Sequence, residues 1–175
     1  MLGIVAIIII LAIVIVLILV SMRPNTFRIE RSINIKALPE KIFPLIADFR
    51  QMNKWSAWEK VDPAMKRSYS GAESGKGAMY VWDGNKEIGK GSMEILESTP
   101  TSRVLIKIDF YKPFEAHNTV EFTLVPNGET TTVSHAMYGP SPFISKLMSL
   151  VFNMDKMVGT KFEEGLANLK AIAEK

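Results

Sequence analysis

The 175-residue chain contains no cysteine. A lipid-modified cysteine anchor is therefore excluded, and so is a cysteine nucleophile. The absence of cysteine is compatible with a reducing or an oxidising compartment, so it does not locate the protein in the cell.

Motifs for catalysis and metal binding are also lacking. The two histidines form no His-x-x-x-His spacing, and there is no glycine-rich phosphate loop and no Gly-x-Ser-x-Gly motif. Ser141 and Ser145 lie in no activating context. No catalytic constellation is visible, which makes an enzyme the less favoured class, and neither a metal nor another cofactor is expected.

An excess of charge of one sign is absent as well. The 21 Lys and Arg residues oppose 18 Asp and Glu residues and are scattered among them, which leaves a net charge of +3. No basic stripe indicates a nucleic-acid partner. The chain shows no internal repeat and no low-complexity segment.

The amino-terminal segment has no polar side chain at all. Leu2 to Val20 reads LGIVAIIIILAIVIVLILV. At a rise of roughly 1.5 Å per residue, a helix of this length covers about 28 Å, which is close to the hydrocarbon thickness of a bilayer. We therefore expect a transmembrane helix within residues 1–22, a linker at 23–25 and one folded domain over 26–175.

A cleaved signal peptide is the competing interpretation of this segment. No Lys or Arg precedes the apolar run, the run is longer than a usual h-region, and no Ala-x-Ala-like cleavage site follows it. These features favour an uncleaved, single-pass anchor. Arg23, Arg28, Arg31 and Lys36 follow the span, and the positive-inside bias then places the domain in the cytoplasm.

Hydrophobic periodicity predicts that the domain is α+β. Residues 26–36 alternate as a strand, Pro39 opens a helix over 40–47 that Pro44 kinks or shortens, and Asp48 caps a second short helix. Six further strands are predicted, over residues 66–70, 77–82, 88–96, 104–111, 116–125 and 130–138. Their short, turn-like connections indicate antiparallel meander pairing.

A long amphipathic helix is predicted from Ile144, with one apolar stripe reaching Ile172 and an optional break near residues 153–155. An antiparallel sheet with one apolar face needs a cover, and this helix is the only element large enough to provide it. We expect a helix-grip fold, in which a curved sheet of about seven strands wraps around the carboxy-terminal helix and leaves a space between them.

Strand alternation assigns side chains to the two faces of the sheet. The predicted inner face carries Met93, Ile95, Val104, Ile106, Ile108, Phe110, Val120, Phe122, Leu124, Val133, His135 and Met137. Gly89 and Gly91 share this parity, which indicates either close approach to the backbone or a bulge. Glu94, Asp109 and Glu121 have outward parity, so an acid/base pair inside the cavity is not expected.

Twelve side chains are candidates for lining a ligand cavity: Trp55, Trp58, Tyr80, Trp82, Met93, Ile106, Phe110, Phe122, His135, Met137, Met148 and Phe152. Aromatic rings with a polar edge suit a pocket mouth. Flexible thioethers, including Met154 or Met157, suit apolar ligands of varied shape. Packing within an ordinary core explains the same residues equally simply.

Three charged or titratable positions have alternative interpretations. His135 is either a proton-transfer or ligand-binding group or, more favoured, a neutral hydrogen-bonded core residue. Arg31 either places a cation inside for an anionic head group or extends outward from the strand end. His117, close to Glu115, is expected in a solvated loop.

Five segments carry a family resemblance: ERSINIKALPEKIFPLIADFRQMNKWSAWE (30–59), YSGAESGKGAMYVWDGN (69–85), GKGSMEI (89–95), KPFEAHNTVEF (112–122) and MDKMVGTKFEEGLANLK (154–170). Together they resemble the SRPBCC superfamily of START-like helix-grip proteins, often described as polyketide cyclase/dehydrase-like, over essentially all of 26–175. The resemblance implies a hydrophobic cavity that holds lipids, sterols, quinones, polyketides or hormones in different members. Similar proteins often carry Trp at the position of His135.

The resemblance and the apolar segment together predict a membrane-anchored protein that binds a lipid, quinone or polyketide-like molecule. A cyclase/dehydrase-type enzyme using the same cavity and a regulatory partner-binding module are the alternatives. Titratable side chains clustered inside the cavity would favour the enzyme. An apolar cavity would favour the binding protein, and a filled cavity with an exposed apolar patch would favour the partner module.

Overall fold

The amino-terminal helix projects away from the rest of the chain. A computed structural model describes residues 2–175, so Met1, the first residue of the predicted anchor segment 1–22, lies outside the described residues. Helix α1 (Leu2–Ser21) has 20 residues. Only 6% of the apolar stretch within Gly3–Ser21 is buried. By length and composition it could cross a membrane, although a signal sequence passes the same test.

Three short helices follow the first strand, β1 (Thr26–Ile35). They are α2 (Pro39–Ala47), α3 (Phe49–Met52) and a 3-10 helix (Ala57–Lys60). Proline suits the first turn of a helix because that turn has no intrahelical acceptor for its N–H groups. Asp48 caps α3, since its Oδ1 accepts a hydrogen bond of 2.8 Å from the Arg50 N–H. Phe49, Met52 and Trp55 are buried together.

The remaining strands are β2 (Lys66–Gly71), β3 (Ala78–Asp83), β4 (Lys90–Thr99), β5 (Arg103–Lys112), β6 (Ala116–Asn127) and β7 (Thr130–Pro140). They form one seven-stranded sheet in the order β1-β7-β6-β5-β4-β3-β2, and every pair is antiparallel. The predicted α+β helix-grip class is confirmed. Strand β4 begins two residues later than predicted because Gly89, at φ +67°, closes a turn by donating to the Asn85 carbonyl.

The carboxy-terminal helix is broken close to where the sequence allowed a break, and it forms α4 (Phe143–Met148) and α5 (Met154–Ala173). The Asn153 side chain caps α5 by accepting a hydrogen bond of 2.9 Å from the Lys156 N–H. The apolar stripe faces the core only from Val158 onward, and none of the described residues of α4 is buried. Periodicity shows that a helix face is apolar, but it does not show what covers that face. For this reason the sequence wrongly predicted that the apolar residues of α4 would cover the sheet.

Arg31 links β1 to the start of α5 and does not enter the interior as a free cation. Its Nε lies 2.6 Å from Glu163 Oε1, and its Nη2 lies 2.9 Å from Asp155 Oδ2. These hydrogen bonds raise the pKa of Arg31 and lower that of Asp155. Gly159 leaves room for the guanidinium, since any Cβ at this position would collide with it.

Candidate functional site

A cavity of about 790 Å³ lies between the inner face of the sheet and α5. It occupies the end of the sheet where β1, β4 and β6 begin and β3, β5 and β7 end. The opposite end is filled, because Leu166, Leu169 and Ala173 of α5 pack there into the apolar core. At the cavity end, α5 contributes Met154, Val158 and Phe162 to the wall.

The sheet wall of the cavity is built from two cross-strand rows. In the first row Tyr80 pairs with Met93, which pairs with Ile108 on its other side. In the second row Gly91 stands between Trp82 and Phe110. The Trp82 ring occupies the space that a side chain at position 91 would fill. As predicted, Gly91 allows a close approach to the backbone, and the approaching group is the Trp82 ring. A shift in strand register between Lys90 and Gly91 also marks a bulge at this point.

Ten of the twelve candidate residues line this cavity: Trp55, Trp58, Tyr80, Trp82, Met93, Ile106, Phe110, Phe122, His135 and Met137. Met148 and Phe152 do not, because the chain turns between α4 and α5 and leaves both side chains partly exposed to solvent. Met154 lines the cavity and Met157 does not. Whether the lining residues contact a ligand remains a prediction.

Three of the four predicted aromatic side chains lie on the inner wall, and the fourth, Trp58, is only partly buried. Trp55, Tyr80 and Trp82 are all buried. The Trp55 indole donates to the Leu45 carbonyl at 2.8 Å, and the Trp82 indole donates to the Ile88 carbonyl at 3.3 Å. Since both indole N–H groups are paired with backbone, these rings offer mainly apolar surface to the cavity.

His135 is stacked between two phenylalanine rings. Its centroid lies 4.2 Å from that of Phe122 and 3.7 Å from that of Phe162. Burial lowers the pKa of His135 to about 3, so the ring is neutral at physiological pH. Within residues 2–175 its Nδ1 has no hydrogen-bond partner. The expected core histidine is therefore neutral, but it is not hydrogen-bonded at Nδ1.

A polar cluster that the sequence did not reveal borders the cavity beside Tyr80. Glu59 Oε1 accepts a hydrogen bond of 3.0 Å from the Tyr80 hydroxyl, and Oε2 accepts one of 2.7 Å from Arg67 Nε. Burial and the adjacent Glu59 carboxylate raise the pKa of the Tyr80 phenol. Glu59 belongs to the 3-10 helix and Arg67 to β2, so no local sequence pattern links the two residues.

His117 is a strand residue, contrary to the predicted solvated loop. It lies in β6, where its exposed ring pairs through Nδ1 with Asp109 Oδ1 at 2.7 Å. This hydrogen bond raises the pKa of His117. Burial of Asp109 opposes its ionisation, but hydrogen bonds from Lys107 and His117 outweigh burial and lower its pKa.

The donor groups offer no preformed metal site. In the part of the chain that the structure describes, no group of three or more His, Asp or Glu side chains is placed to hold a metal ion. Most of the charged side chains that line the cavity are exposed to solvent, whereas His135 is buried and Glu59 is partly buried, so these two are polar groups set in a mainly apolar wall. Such a wall can enclose an apolar molecule and orient one or two polar groups on it.

A family model described as polyketide cyclase / dehydrase and lipid transport matches residues 26–174. The chain belongs to this family, as the resemblance in its sequence predicted. No curated protein sequence matches the chain.

Solved structures share this fold at low sequence identity. Protein CV1439 from Chromobacterium violaceum is 18% identical with a TM-score of 0.59, and the match covers 87% of this chain and 99% of that one. A protein from Thermobifida fusca is 18% identical with a TM-score of 0.61, covering 83% and 92%. The Aha1 protein from Colwellia psychrerythraea, solved as a dimer, is 20% identical with a TM-score of 0.59, covering 85% and 96%. At such identities these similarities show the fold alone.

Proposed function

We propose that this chain is a membrane-anchored binding protein that holds one hydrophobic or amphipathic small molecule between its sheet and α5. The observation that carries the proposal is the apolar cavity of about 790 Å³. Pockets for small ligands have volumes of roughly 300–1,000 Å³ and mostly apolar walls with few polar groups. The family description, which includes lipid transport, supports the same class of ligand.

The chemistry of the wall favours a ligand with a large apolar body. Removing apolar surface from water contributes roughly 25 cal/mol per Å² before the costs of association. Met52, Met65, Met93, Met137 and Met154 all line the cavity, and their flexible thioethers adapt to ligand shape. Lipids, quinones and polyketide-like molecules have this character. The free Nδ1 of His135 and the Glu59 cluster suit one or two polar groups on such a molecule.

The proposed architecture assigns residues 1–22 to a membrane-spanning helix, 23–25 to a linker and 26–175 to the ligand-binding domain. The 19-residue span Gly3–Ser21 has a mean hydropathy of 3.7, which supports insertion. Arg23 and Arg28 follow the span and support a cytoplasmic domain. A tethered cavity stays close to lipid-soluble ligands.

Dye titration of the domain beginning at Thr26 tests the binding proposal. An environment-sensitive apolar dye should bind at about one equivalent and raise the midpoint of thermal unfolding, because a ligand that binds only the folded state stabilises it. Met93→Trp should reduce binding by filling the cavity. Leu96→Trp, at an exposed position on the same strand, is the matched control. Absence of saturable binding by a correctly folded domain, across lipids and quinones as well, contradicts the proposal.

A cyclase- or dehydrase-type reaction in the same cavity is the second candidate. The observation that favours it is the hydrogen bond between Glu59 and Tyr80, which places a carboxylate and a phenol together at the cavity wall. If a molecule that co-purifies with the protein serves as substrate, loss of a proton-transfer group in Glu59→Gln should lower turnover by roughly 10²–10⁴-fold. If no product forms with the unaltered protein, the enzyme candidate is rejected.

A further inference from the structure

The segment between β7 and the body of α5 exposes apolar side chains, most of which do not line the cavity. We call six of them the apolar rim: Phe143, Ile144, Val151, Phe152, Met154 and Met157. Val151 is 78% exposed and Phe143 is 50% exposed. A contiguous exposed apolar surface on a folded domain marks a site of contact with another apolar phase or partner.

This rim lies at the base of α1. Lys146 of α4 donates a hydrogen bond of 2.6 Å to Asn25 Oδ1, and the Ser141 N–H donates one of 2.7 Å to the Asn25 carbonyl. Four residues separate the end of α1 from β1, and they can extend over no more than about 14 Å. A domain tied this closely to a membrane helix cannot move its rim far from the bilayer surface.

The opening of the cavity lies in the same region. Arg23 and Pro24, which follow α1 directly, line the cavity together with Pro142 and Ser149 from the α4 region. Phe114, at the tip of the β5–β6 hairpin, also lines it and is 66% exposed. The opening is therefore bordered by the α4 region, by Met154 of the apolar rim, by the exposed Phe114 ring and by the base of α1.

The charges near this opening suit a lipid surface. Arg23, Arg28 and Lys112 line the cavity at this end, and Lys146 and Lys156 belong to α4 and α5. The acids at this end are Glu87 and Glu115, which also line the cavity, and Asp155, which is paired with Arg31. Aromatic and basic side chains are the residues that favour the interface between hydrocarbon and water, and basic residues are attracted to anionic lipids. A protein partner would have to bind within this narrow space beside the bilayer.

We propose that the apolar rim docks on the surface of the bilayer into which α1 inserts, so that the cavity opens toward lipid. This inference rests on the proposed function, because it requires α1 to span the membrane. When the domain is docked in this way, an apolar molecule passes from the bilayer to the cavity without crossing water. The surface of an apolar phase, and not a second copy of the chain, covers the rim.

The natural absence of cysteine allows a direct test, since one introduced cysteine accepts a single fluorescent label. Full-length Val151→Cys, Val125→Cys and Ile10→Cys proteins are reconstituted in vesicles of phosphatidylcholine with phosphatidylglycerol and labelled. Val125 is a matched control, because it is also an exposed valine but lies toward the opposite end of the sheet. Lipids carrying a nitroxide just below the head group then quench any label that reaches the bilayer.

We expect the label at position 151 to lose most of its fluorescence and the label at position 125 to keep it. The label at position 10, read with a nitroxide deep in the acyl chains, reports insertion of α1 separately. Quenching at position 10 without quenching at 151 overturns the docking inference and leaves the anchor intact. Absence of quenching at position 10 overturns both. Energy transfer between copies labelled at 151, without lipid quenching, shows self-association and also overturns the inference.

Discussion

His135 is buried as a neutral ring, so its protonation is coupled to folding. Its pKa is about 3 in the folded chain and near 6.5 when exposed. Below pH 6.5 the unfolded state binds a proton that the folded state does not, so stability falls as the pH drops from about 6.5 toward 3. Each pH unit in this window costs about 1.4 kcal/mol.

We predict that His135→Phe removes this pH dependence. From pH 7 to pH 5 the unaltered domain should lose about 2 kcal/mol more unfolding free energy than the variant, as measured by urea unfolding at both pH values. His117→Phe is the control with the opposite sign, because pairing with Asp109 raises the pKa of His117 and stabilises the fold at low pH. Equal losses in the unaltered domain and in His135→Phe would mean that the ring is not buried as a neutral group.

The residues of the site were predictable from sequence to the extent that strand alternation determines them. Ile106, Phe122 and Met137 line the cavity because every second side chain of a strand faces the same side. Glu59 was not predictable in this way. Its pairing with Tyr80 and Arg67 joins three separate elements, and a single sequence carries no signal for such contacts.

At the scale of elements, β4 shapes the cavity wall through a missing side chain. Gly91 allows the Trp82 ring to lie flat against the backbone, and Trp82 in turn packs edge-on against Phe110 at 5.8 Å. A side chain at position 91 would displace the indole into the cavity. Because interiors are closely packed, such a displacement is costly.

We predict that Gly91→Val destabilises the domain by about 1–3 kcal/mol, the usual cost of overpacking, and reduces the cavity. Urea unfolding measures the first effect, and the dye titration measures the second. Glu94→Val, on the same strand with its side chain on the outer face, is the control and should leave dye binding unchanged. Full dye binding by Gly91→Val would show that Trp82 does not form the wall.

The sequence predicted best those elements in which buried and exposed side chains alternate regularly along the chain. Six strands in succession with a period of two predicted an antiparallel meander, and β2 to β7 form it, whereas the pairing of β1 with β7 was not predicted. The same logic failed in α4, where apolar residues at helical spacing face solvent at the base of α1. Periodicity records that a face is apolar, but a core and a bilayer surface both satisfy that pattern.

In the whole molecule, the proposed function requires α1 to remain attached and inserted. We predict that the full-length chain sediments with membranes and resists extraction by alkaline carbonate, whereas the chain beginning at Thr26 is soluble. The physical reason is that a 19-residue apolar helix satisfies its own backbone hydrogen bonds in hydrocarbon. Recovery of a mature protein that begins near Ser21 would instead identify a cleaved signal sequence.

The central claim is that the cavity between sheet and α5 holds one hydrophobic molecule. Native mass spectrometry of the full-length protein, extracted gently from its host membranes, measures this most directly. We predict a bound species at one copy per chain in the unaltered protein and in Leu96→Trp, and its loss in Met93→Trp. A correctly folded, unaltered protein that carries no bound molecule and acquires none from added lipid extract would contradict the claim.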